Sequence, residues 1–399
     1  MEFLDLIDTF AARDASVSAL YAREGFRLVE LGANYNKHQR DRLDRKLYET
    51  VKFLHQIYTG KRPRHHLIEA MTTSDFPLLF GVVIDRQTLG SYREWPATWR
   101  TIARVATVPD FRSVERGYDP FGGDTRLDVV HELEEYKAAF IDEINPFTYK
   151  VQKYGRRMPF SWEVMVNDVQ NRLKDAPIRF GRAAVRSEQY FATSLYVSST
   201  GPSASVYTVG NKNQIITANG AASNNPALSI TGLQDGFTVL NRQVDAQGNP
   251  ILIEAVVLEV PPALEIIANN ILNATQLELG ASTDTQRLVT NNWMKNRVTL
   301  VVNPYLSLIN TTNGNTAWYL HAAASTGRPL LEIGFLAGYE TPQIFMKSPN
   351  AVRVGGGASL IDPMQGDFDN DGIDYKVRHV FGGSIVDPIA SAASEGDGT

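Results

Sequence analysis

The sequence lacks cysteine throughout its 399 residues. The absence of thiols excludes disulfides, thiolate nucleophiles and cysteine-based zinc sites. No apolar run approaches the roughly 20 residues that a membrane helix needs. Residues 1–5 carry early acids and no basic region, which is unlike a signal peptide. We therefore expect a protein made in a cytoplasm-like compartment, without a membrane partner.

Familiar enzyme motifs are also missing. The sequence has no phosphate loop, no G-x-S-x-G elbow and no H-E-x-x-H pair. One acidic run, Asp367, Asp369 and Asp371 before Gly372, has the opening spacing of a calcium loop. The twelfth position of that loop should be Glu but is Arg378, which favours an acidic turn. A metal-dependent hydrolase using the three aspartates is thus a third-ranked hypothesis, and we expect no catalytic residue and no cofactor.

Charge is distributed unevenly along the chain. The net charge is -5, yet residues 13–64 hold 12 Lys/Arg against 6 Asp/Glu, a net of +6 that leaves -11 elsewhere. Such a basic helical arm can contact nucleic acid or an acidic protein surface, or can be a solvated helix face with mixed ion pairs. The basic residues that we expect to face an enclosed volume are Lys37, Arg40, Arg42, Arg45 and Lys46.

Residues 101–158 have the pattern of a long β-hairpin. Strand-like stretches at 102–108 and 147–154 flank a segment rich in Gly, Pro and acids. A hairpin that projects from a body is marginally stable alone and needs a surface to lie on. A loop of this length in a compact domain is usually functional.

Helices and strands alternate irregularly over the rest of the chain. An apolar stripe predicts a long helix at about 176–198, and apolar runs predict strands at 255–260, 298–302 and 330–336. This irregular order favours an α+β fold over a doubly wound sheet. The segment 390–399 is small and polar, so we expect it to be frayed.

Several stretches resemble the Mu-like major head subunits, a branch of the tailed-phage capsid proteins with the Hong Kong 97 fold. Their order and spacing match along about 75–388, and the run 153–157, Lys-Tyr-Gly-Arg-Arg, is the most specific. The matching segments are 108–112, 134–137, 149–157, 166–168, 180–184, 375–379 and 381–382.

The resemblance implies a Hong Kong 97-like fold with four parts. These are an N-terminal arm (1–100), an extended loop (101–158), a peripheral domain with a spine helix (159–225 and 346–399) and an axial domain (226–345). It further implies a major capsid protein of the virion, assembled in the host cytoplasm into hexamers and pentamers. The implied partners are packaged double-stranded DNA, portal, scaffold and decoration proteins. The alternative is an encapsulin-type shell enclosing protein cargo.

Charge between subunits is expected to hold the extended loop in place. Its tip region is acidic and its returning strand is basic, so one subunit's tip can meet another's base in a head-to-tail ring. The alternative is that the arginines pair within their own chain. The residues of this predicted contact are Asp124, Asp128, Glu132, Glu134, Glu135, Lys150, Lys153, Arg156 and Arg157.

Overall fold

A computed structural model describes the parts of the chain that carry the mixed fold. The described residues are 88–94, 97–118, 129–135, 145–161, 172–244, 250–251, 253, 256–279, 288–295, 297–347 and 372–398. They fall into two compact units. The first contains 88–94, 153–161, 172–185, 341–347 and 372–379, and the second contains the other described residues.

The described elements alternate between helix and strand. Helices are α1 (Arg172–Ser194), α2 (Ile230–Asn241), α3 (Glu265–Asn273) and α4 (Tyr305–Ile309). Strands are β1 (Ala103–Val108), β2 (Val114–Tyr118), β3 (Asn145–Tyr149), β4 (Gln152–Ser161), β5 (Val197–Ser198), β6 (Gly201–Pro202), β7 (Val256–Val260), β8 (Gln276–Leu279), β9 (Leu288–Asn291), β10 (Val298–Val302), β11 (Trp318–Ala322), β12 (Leu331–Leu336), β13 (Gln343–Met346), β14 (Gly372–Ile385) and β15 (Ser391–Ser394). The expected α+β class is confirmed. Among the described helices, none is both long and apolar enough for a membrane crossing.

A four-stranded sheet organises the larger core of the second unit. Its order is β10-β7-β11-β15, with β10 parallel and β11 antiparallel to β7. Helix α2 packs against it so closely that a Cβ on Gly236 would lie 2.6 Å from Leu320 Cδ1. Ser229 caps this helix by accepting the backbone N–H of Gly232 at 3.0 Å. The apolar faces of α2 and α3 are thereby buried on the sheet.

The second unit also contains the base of the hairpin. Strand β1 is parallel to β12, and β12 is antiparallel to residues 381–385 of β14. The antiparallel hairpin is formed by β2 and β3, with Val114 opposite Tyr149. The prediction that 102–108 forms one strand of the hairpin is therefore wrong, because β1 pairs with β12.

In the first unit, residues 372–379 of β14 carry β13 and β4. One face of β14 buries Tyr375, Val377 and His379, and the Tyr92 ring makes an edge contact with His379 at 5.9 Å. Close packing also joins α1 to the helical segment 88–94, where a Cβ on Gly181 would lie 2.5 Å from the Thr88 carbonyl oxygen. The other face of β14 is more exposed, at Asp374, Lys376 and Arg378.

Two further predictions are corrected. The predicted spine helix ends at Ser194 rather than near 198, since the Tyr196 N–H bonds the Thr193 carbonyl and the chain turns into β5. The segment expected to be frayed contains β15, which pairs with β11 and is buried at all four residues. Its alanine and serine side chains fit where β11 supplies Trp318 and Tyr319. Small residues here are thus a requirement of close packing.

Candidate assembly surfaces

Glu332 connects the base of the hairpin to the sheet of the second unit. Its side chain is fully buried on β12. Arg104 Nε on β1 donates to Oε2 at 2.8 Å, and Arg116 Nη1 on β2 lies 3.3 Å from Oε1. Arg116 also donates to the Thr107 carbonyl at 2.9 Å. Two cations around one buried carboxylate therefore tie β2 to β1 and β12.

Tyr149 on β3 completes this cluster. Its hydroxyl donates to Glu332 Oε1 at 2.6 Å, and burial, the hydrogen bond and the Glu332 charge together raise the pKa of Tyr149. The ring crosses β12 at Gly334, where a Cβ would lie 2.6 Å from Tyr149 Cε2. Phe147 stacks beside it with a centroid distance of 6.2 Å. The hairpin base is thus fixed to the sheet by both packing and charge.

The described part of the hairpin's acidic region contains a tight turn at 131–134. The Glu134 N–H bonds the His131 carbonyl at 3.0 Å, and Glu134 Oε2 accepts the His131 N–H at 2.9 Å. Leu133 adopts a left-handed φ of 66° and is fully exposed. Glu132, Glu134 and Glu135 are exposed around it. We call residues 131–135 the acidic turn.

Basic side chains gather on the exposed sheet face of the first unit. Lys376 and Arg378 share one face of β14, and register places Phe345 and Gln343 of β13 opposite them. Lys376 Nζ lies 5.2 Å and Arg378 Cζ 4.5 Å from the centre of the Phe345 ring. Arg157 of β4 pairs with Asp374, which lies on the same face of β14 as Lys376 and Arg378. Lys153 lies on the same side of β4 as Arg157, because side chains alternate along a strand. We call Lys153, Arg157, Phe345, Lys376 and Arg378 the basic face.

The two predicted arginines have different surroundings. Arg157 Nε donates to Asp374 Oδ1 at 3.0 Å within the same chain, which is the alternative to an intersubunit pair. Arg156, Lys150 and Lys153 are exposed. The structure therefore brings Arg157 and Lys153 to the basic face, with Asp374 partly neutralising that face.

A buried polar network lies on the four-stranded sheet. Glu259 of β7 accepts from the Tyr196 hydroxyl at 2.7 Å and Asn303 Nδ2 at 2.7 Å, and lies 2.9 Å from His321 Nε2. His321 Nδ1 is 2.9 Å from Ser391 Oγ, which is 2.7 Å from the Tyr207 hydroxyl. Ser391, His321 and Glu259 have hydrolase-triad chemistry, but each is at most 2% exposed. Without access for a substrate, their arrangement serves to satisfy polar groups inside the core.

Other predicted site residues lie outside the described residues. These are Asp124 and Asp128 of the loop, Lys37, Arg40, Arg42, Arg45 and Lys46 of the arm, and the metal candidates Asp367, Asp369 and Asp371. Within the described ranges, no group of three or more His, Asp or Glu side chains could hold a metal ion.

Comparison with known proteins gives the family. The family model described as phage capsid protein matches residues 145–394. No curated protein sequence matches the chain. Solved structures that it resembles include Gordonia phage Cozz, with 13% identity over 75% of this chain and 88% of that chain at a TM-score of 0.42. Another is the capsid of a native GTA particle computed with C5 symmetry, with 11% identity over 74% and 89% and a TM-score of 0.46.

A third similar structure is the holo-SrpI encapsulin complex from Synechococcus elongatus PCC 7942. It has 12% identity over 77% of this chain and 90% of that chain, with a TM-score of 0.43. The family match covers most of the chain, including β3, β4, α1 and the whole four-stranded sheet. It agrees with the Hong Kong 97-like fold expected from the sequence, and it replaces the hydrolase hypothesis. The chain belongs to the phage capsid protein family and is a major capsid protein, a structural shell subunit rather than an enzyme.

Proposed function

We propose that this subunit builds the head of a tailed phage of the Mu-like type, enclosing a double-stranded DNA genome. The observation that carries the proposal is the phage capsid match over 145–394. Expression of the full chain followed by electron microscopy tests it. We expect closed shells built from hexamers and pentamers, and a strictly monomeric mass at high protein concentration would count against it.

The contents of the particles separate this proposal from an encapsulin-type shell. Nuclease treatment after particle disruption, with mass spectrometry of co-purified proteins, compares the two kinds of content. Double-stranded DNA inside particles purified from infected cells supports a phage head. A single stoichiometric enzyme without nucleic acid supports a compartment for protein cargo.

Four parts would divide the work of assembly. We infer an N-terminal arm at 1–100, an extended loop at 101–158, a peripheral domain at 159–225 and 346–399, and an axial domain at 226–345. Support comes from the β2–β3 hairpin, from the long helix α1 and from strands β7, β10 and β11 with α2 and α3. Two strands depart from these bounds, since β1 pairs with β12 outside the hairpin and β15 joins the sheet of β7, β10 and β11. Because the hairpin base is fixed by Glu332, its orientation is set by the body of its own subunit.

The loop's acids and the basic residues near β4 would form contacts between subunits. In this proposal Asp124, Asp128 and the acidic turn of one subunit face Lys150, Lys153, Arg156 and Arg157 of the next. Arg157 already pairs with Asp374, and Arg156 lies on the other side of β4 by alternation. We therefore assign Arg156 the larger share of the contact between subunits. Arg156→Ala is expected to reduce shell yield more than Arg157→Ala, measured by sedimentation. Equal shell yields from the two variants would contradict that assignment.

The basic arm would line the interior of the shell. Lys37, Arg40, Arg42, Arg45 and Lys46 belong to a segment with net charge +6, and duplex DNA carries about one charge per 1.7 Å. Phosphate contacts carry no sequence information, so binding would be non-specific. Portal, scaffold and decoration proteins would be further partners, and assembly would take place in the host cytoplasm. Replacing the five basic residues by Gln should leave shells intact while lowering packaged DNA.

A further inference from the structure

Strand β10 is an outer strand of the four-stranded sheet. The Asn303 N–H, at its end, bonds the Val260 carbonyl of β7 at 2.9 Å. Because alternate residues of a strand face the same neighbour, Leu300 and Val302 direct their backbone N–H and C=O groups away from β7. These groups make no hydrogen bond within the part of the chain that the structure describes. The sheet therefore has an open edge at β10.

The opposite edge of this sheet is closed by the chain itself. Strand β15 pairs with β11 on one side. On its other side the Ile215 N–H bonds the Ala393 carbonyl at 2.9 Å, and the Ala393 N–H bonds the Asn213 carbonyl at 3.0 Å. Among the described residues, the chain thus supplies partners for both sides of β15 but for only one side of β10.

The composition of β10 favours pairing with a further strand. Proteins commonly protect an open edge with a charged residue, a proline or a bulge. The strand reads Val-Thr-Leu-Val-Val, and its register with β7 is unbroken, so it has none of these protections. Thr299 is exposed, and Leu300 and Val302 are half-buried. The edge is therefore accessible from solvent.

Helix α3 adds an apolar surface next to this strand. It packs against β10 through its buried face, while Ile266 and Ile267 are 74% and 44% exposed. Open backbone groups beside an apolar helix fit a protein partner that offers a strand and apolar side chains of its own. A second copy of this chain offers both.

We propose that β10 of an unassembled subunit pairs antiparallel with β10 of a second copy, centred on Leu300. In this register each Leu300 donates to and accepts from its counterpart, and each Val302 N–H meets the Val298 carbonyl of the other copy. That carbonyl faces outward, whereas the Val298 N–H already bonds the Met294 carbonyl at 3.1 Å. Four hydrogen bonds therefore join two four-stranded sheets into one.

Charge favours the antiparallel direction over the parallel one. Lys295 and Arg297 precede β10, and no charged residue occurs between 298 and 310. Parallel pairing would place these two cations beside the same cations of the second copy, and like charges opposite each other destabilise a sheet. Antiparallel pairing places them at opposite ends of the pair. The inference goes beyond the shell function and does not depend on it.

Cysteine crosslinking tests the register directly, because the chain has no cysteine of its own. Leu300→Cys is made in the full chain, shells are removed by ultracentrifugation, and the remaining subunits are oxidised mildly. The two Leu300 positions form a hydrogen-bonded pair with Cα atoms about 5.5 Å apart. A disulfide can join residues at that distance. We expect a disulfide-linked dimer as the main product on a non-reducing gel.

Thr299→Cys is the matched control on the same strand. In the proposed register the two copies of residue 299 are diagonal neighbours about 7–8 Å apart, which is too far for a disulfide. This variant should therefore stay monomeric on the gel. In a parallel pair, by contrast, residues 299 and 300 would crosslink alike.

A second variant tests the edge without a crosslink. Thr299→Lys adds a charge at an exposed position and keeps the backbone bonds to β7, so it should protect the edge and cause loss of the dimer in sedimentation velocity. Asn315→Lys adds the same charge at an exposed position elsewhere in the second unit and should leave the dimer intact. Circular dichroism and thermal unfolding of each variant should match wild type.

Several results would overturn the pairing. One is a folded Leu300→Cys chain that stays monomeric after oxidation. Another is equal crosslinking of Leu300→Cys and Thr299→Cys, which indicates a parallel or random contact. A Thr299→Lys chain that remains dimeric would also refute it, and so would unassembled wild-type subunits that sediment as monomers. Wild-type protein that forms this dimer but never forms shells would instead contradict the proposed function alone.

Discussion

Glu332→Gln is the most direct perturbation of the hairpin base. The change removes the charge while keeping the size of the side chain, so Arg104 and Arg116 lose their common partner and Tyr149 loses a charged acceptor. Breaking a fully buried ion pair costs about 3–5 kcal/mol. The two arginine side chains are 42% and 31% exposed, and solvent screening lowers our expectation to about 2–3 kcal/mol.

Native-state hydrogen exchange measures this loss where it should occur. Amides of β2 and β3 report local opening of the hairpin base. A loss of about 2–3 kcal/mol corresponds to about 30- to 150-fold faster exchange. Glu115→Gln is the matched control, since Glu115 is an exposed carboxylate on β2. If β2 and β3 amides in Glu332→Gln keep wild-type protection, the buried cluster does not fix the hairpin and the reasoning is refuted.

Three further outcomes follow from the core of the second unit. Gly236→Ala should destabilise the fold by about 1–3 kcal/mol in urea unfolding because its Cβ meets Leu320, whereas Gly90→Ala, with nothing within 4 Å, should not; equal effects would contradict the packing. Burial raises the pKa of Tyr196, Tyr207 and Tyr319 above 10.0. The neutral forms of these tyrosines stabilise the folded protein fully below pH 10, and this stability is lost as pH rises toward their folded pKa. Their absorbance change at 295 nm should therefore accompany alkaline unfolding. Tyr207→Phe should reduce this absorbance change, and an absorbance change equal to that of wild type would count against burial. Truncation before Ser391 removes β15 and should abolish soluble folded protein, whereas a soluble truncated chain with wild-type thermal unfolding would show that β15 is dispensable.

Apolar runs predicted two strands of the four-stranded sheet. The run 298–302 forms β10 at the predicted bounds, and 255–260 contains β7, which is buried at all five residues. The pattern could not reveal strand partners. Strand β1 looked like half of a hairpin, yet its partner begins at Leu331, and no local periodicity encodes a pairing over that distance. Strand β15 was missed because alanine and serine carry little apolar signal.

The sequence predicted the candidate surfaces only in part. The exposed glutamates of the acidic turn could be read from composition, but the backbone of Leu133 could not. The sequence predicted Lys153 and Arg157 of the basic face. It did not predict Lys376 and Arg378, because folding brings them next to β4 from another part of the sequence. Glu332 and Glu259 were missed, although each is a single carboxylate in an otherwise apolar strand. A buried carboxylate needs hydrogen-bond or ionic partners. A lone Glu within an apolar strand is therefore the sequence signal that could have identified both residues.

The separation of Glu332 from its partners has a consequence for the order of events in the life of a subunit. Arg104 precedes Glu332 by 228 residues and Tyr149 precedes it by 183. Contacts between residues so far apart in the sequence close long loops and slow folding. On the proposal that the hairpin contacts a neighbouring subunit, a chain in which this cluster has not formed would present a hairpin without a fixed direction. Assembly would then depend, through Glu332, on completed folding of the subunit body.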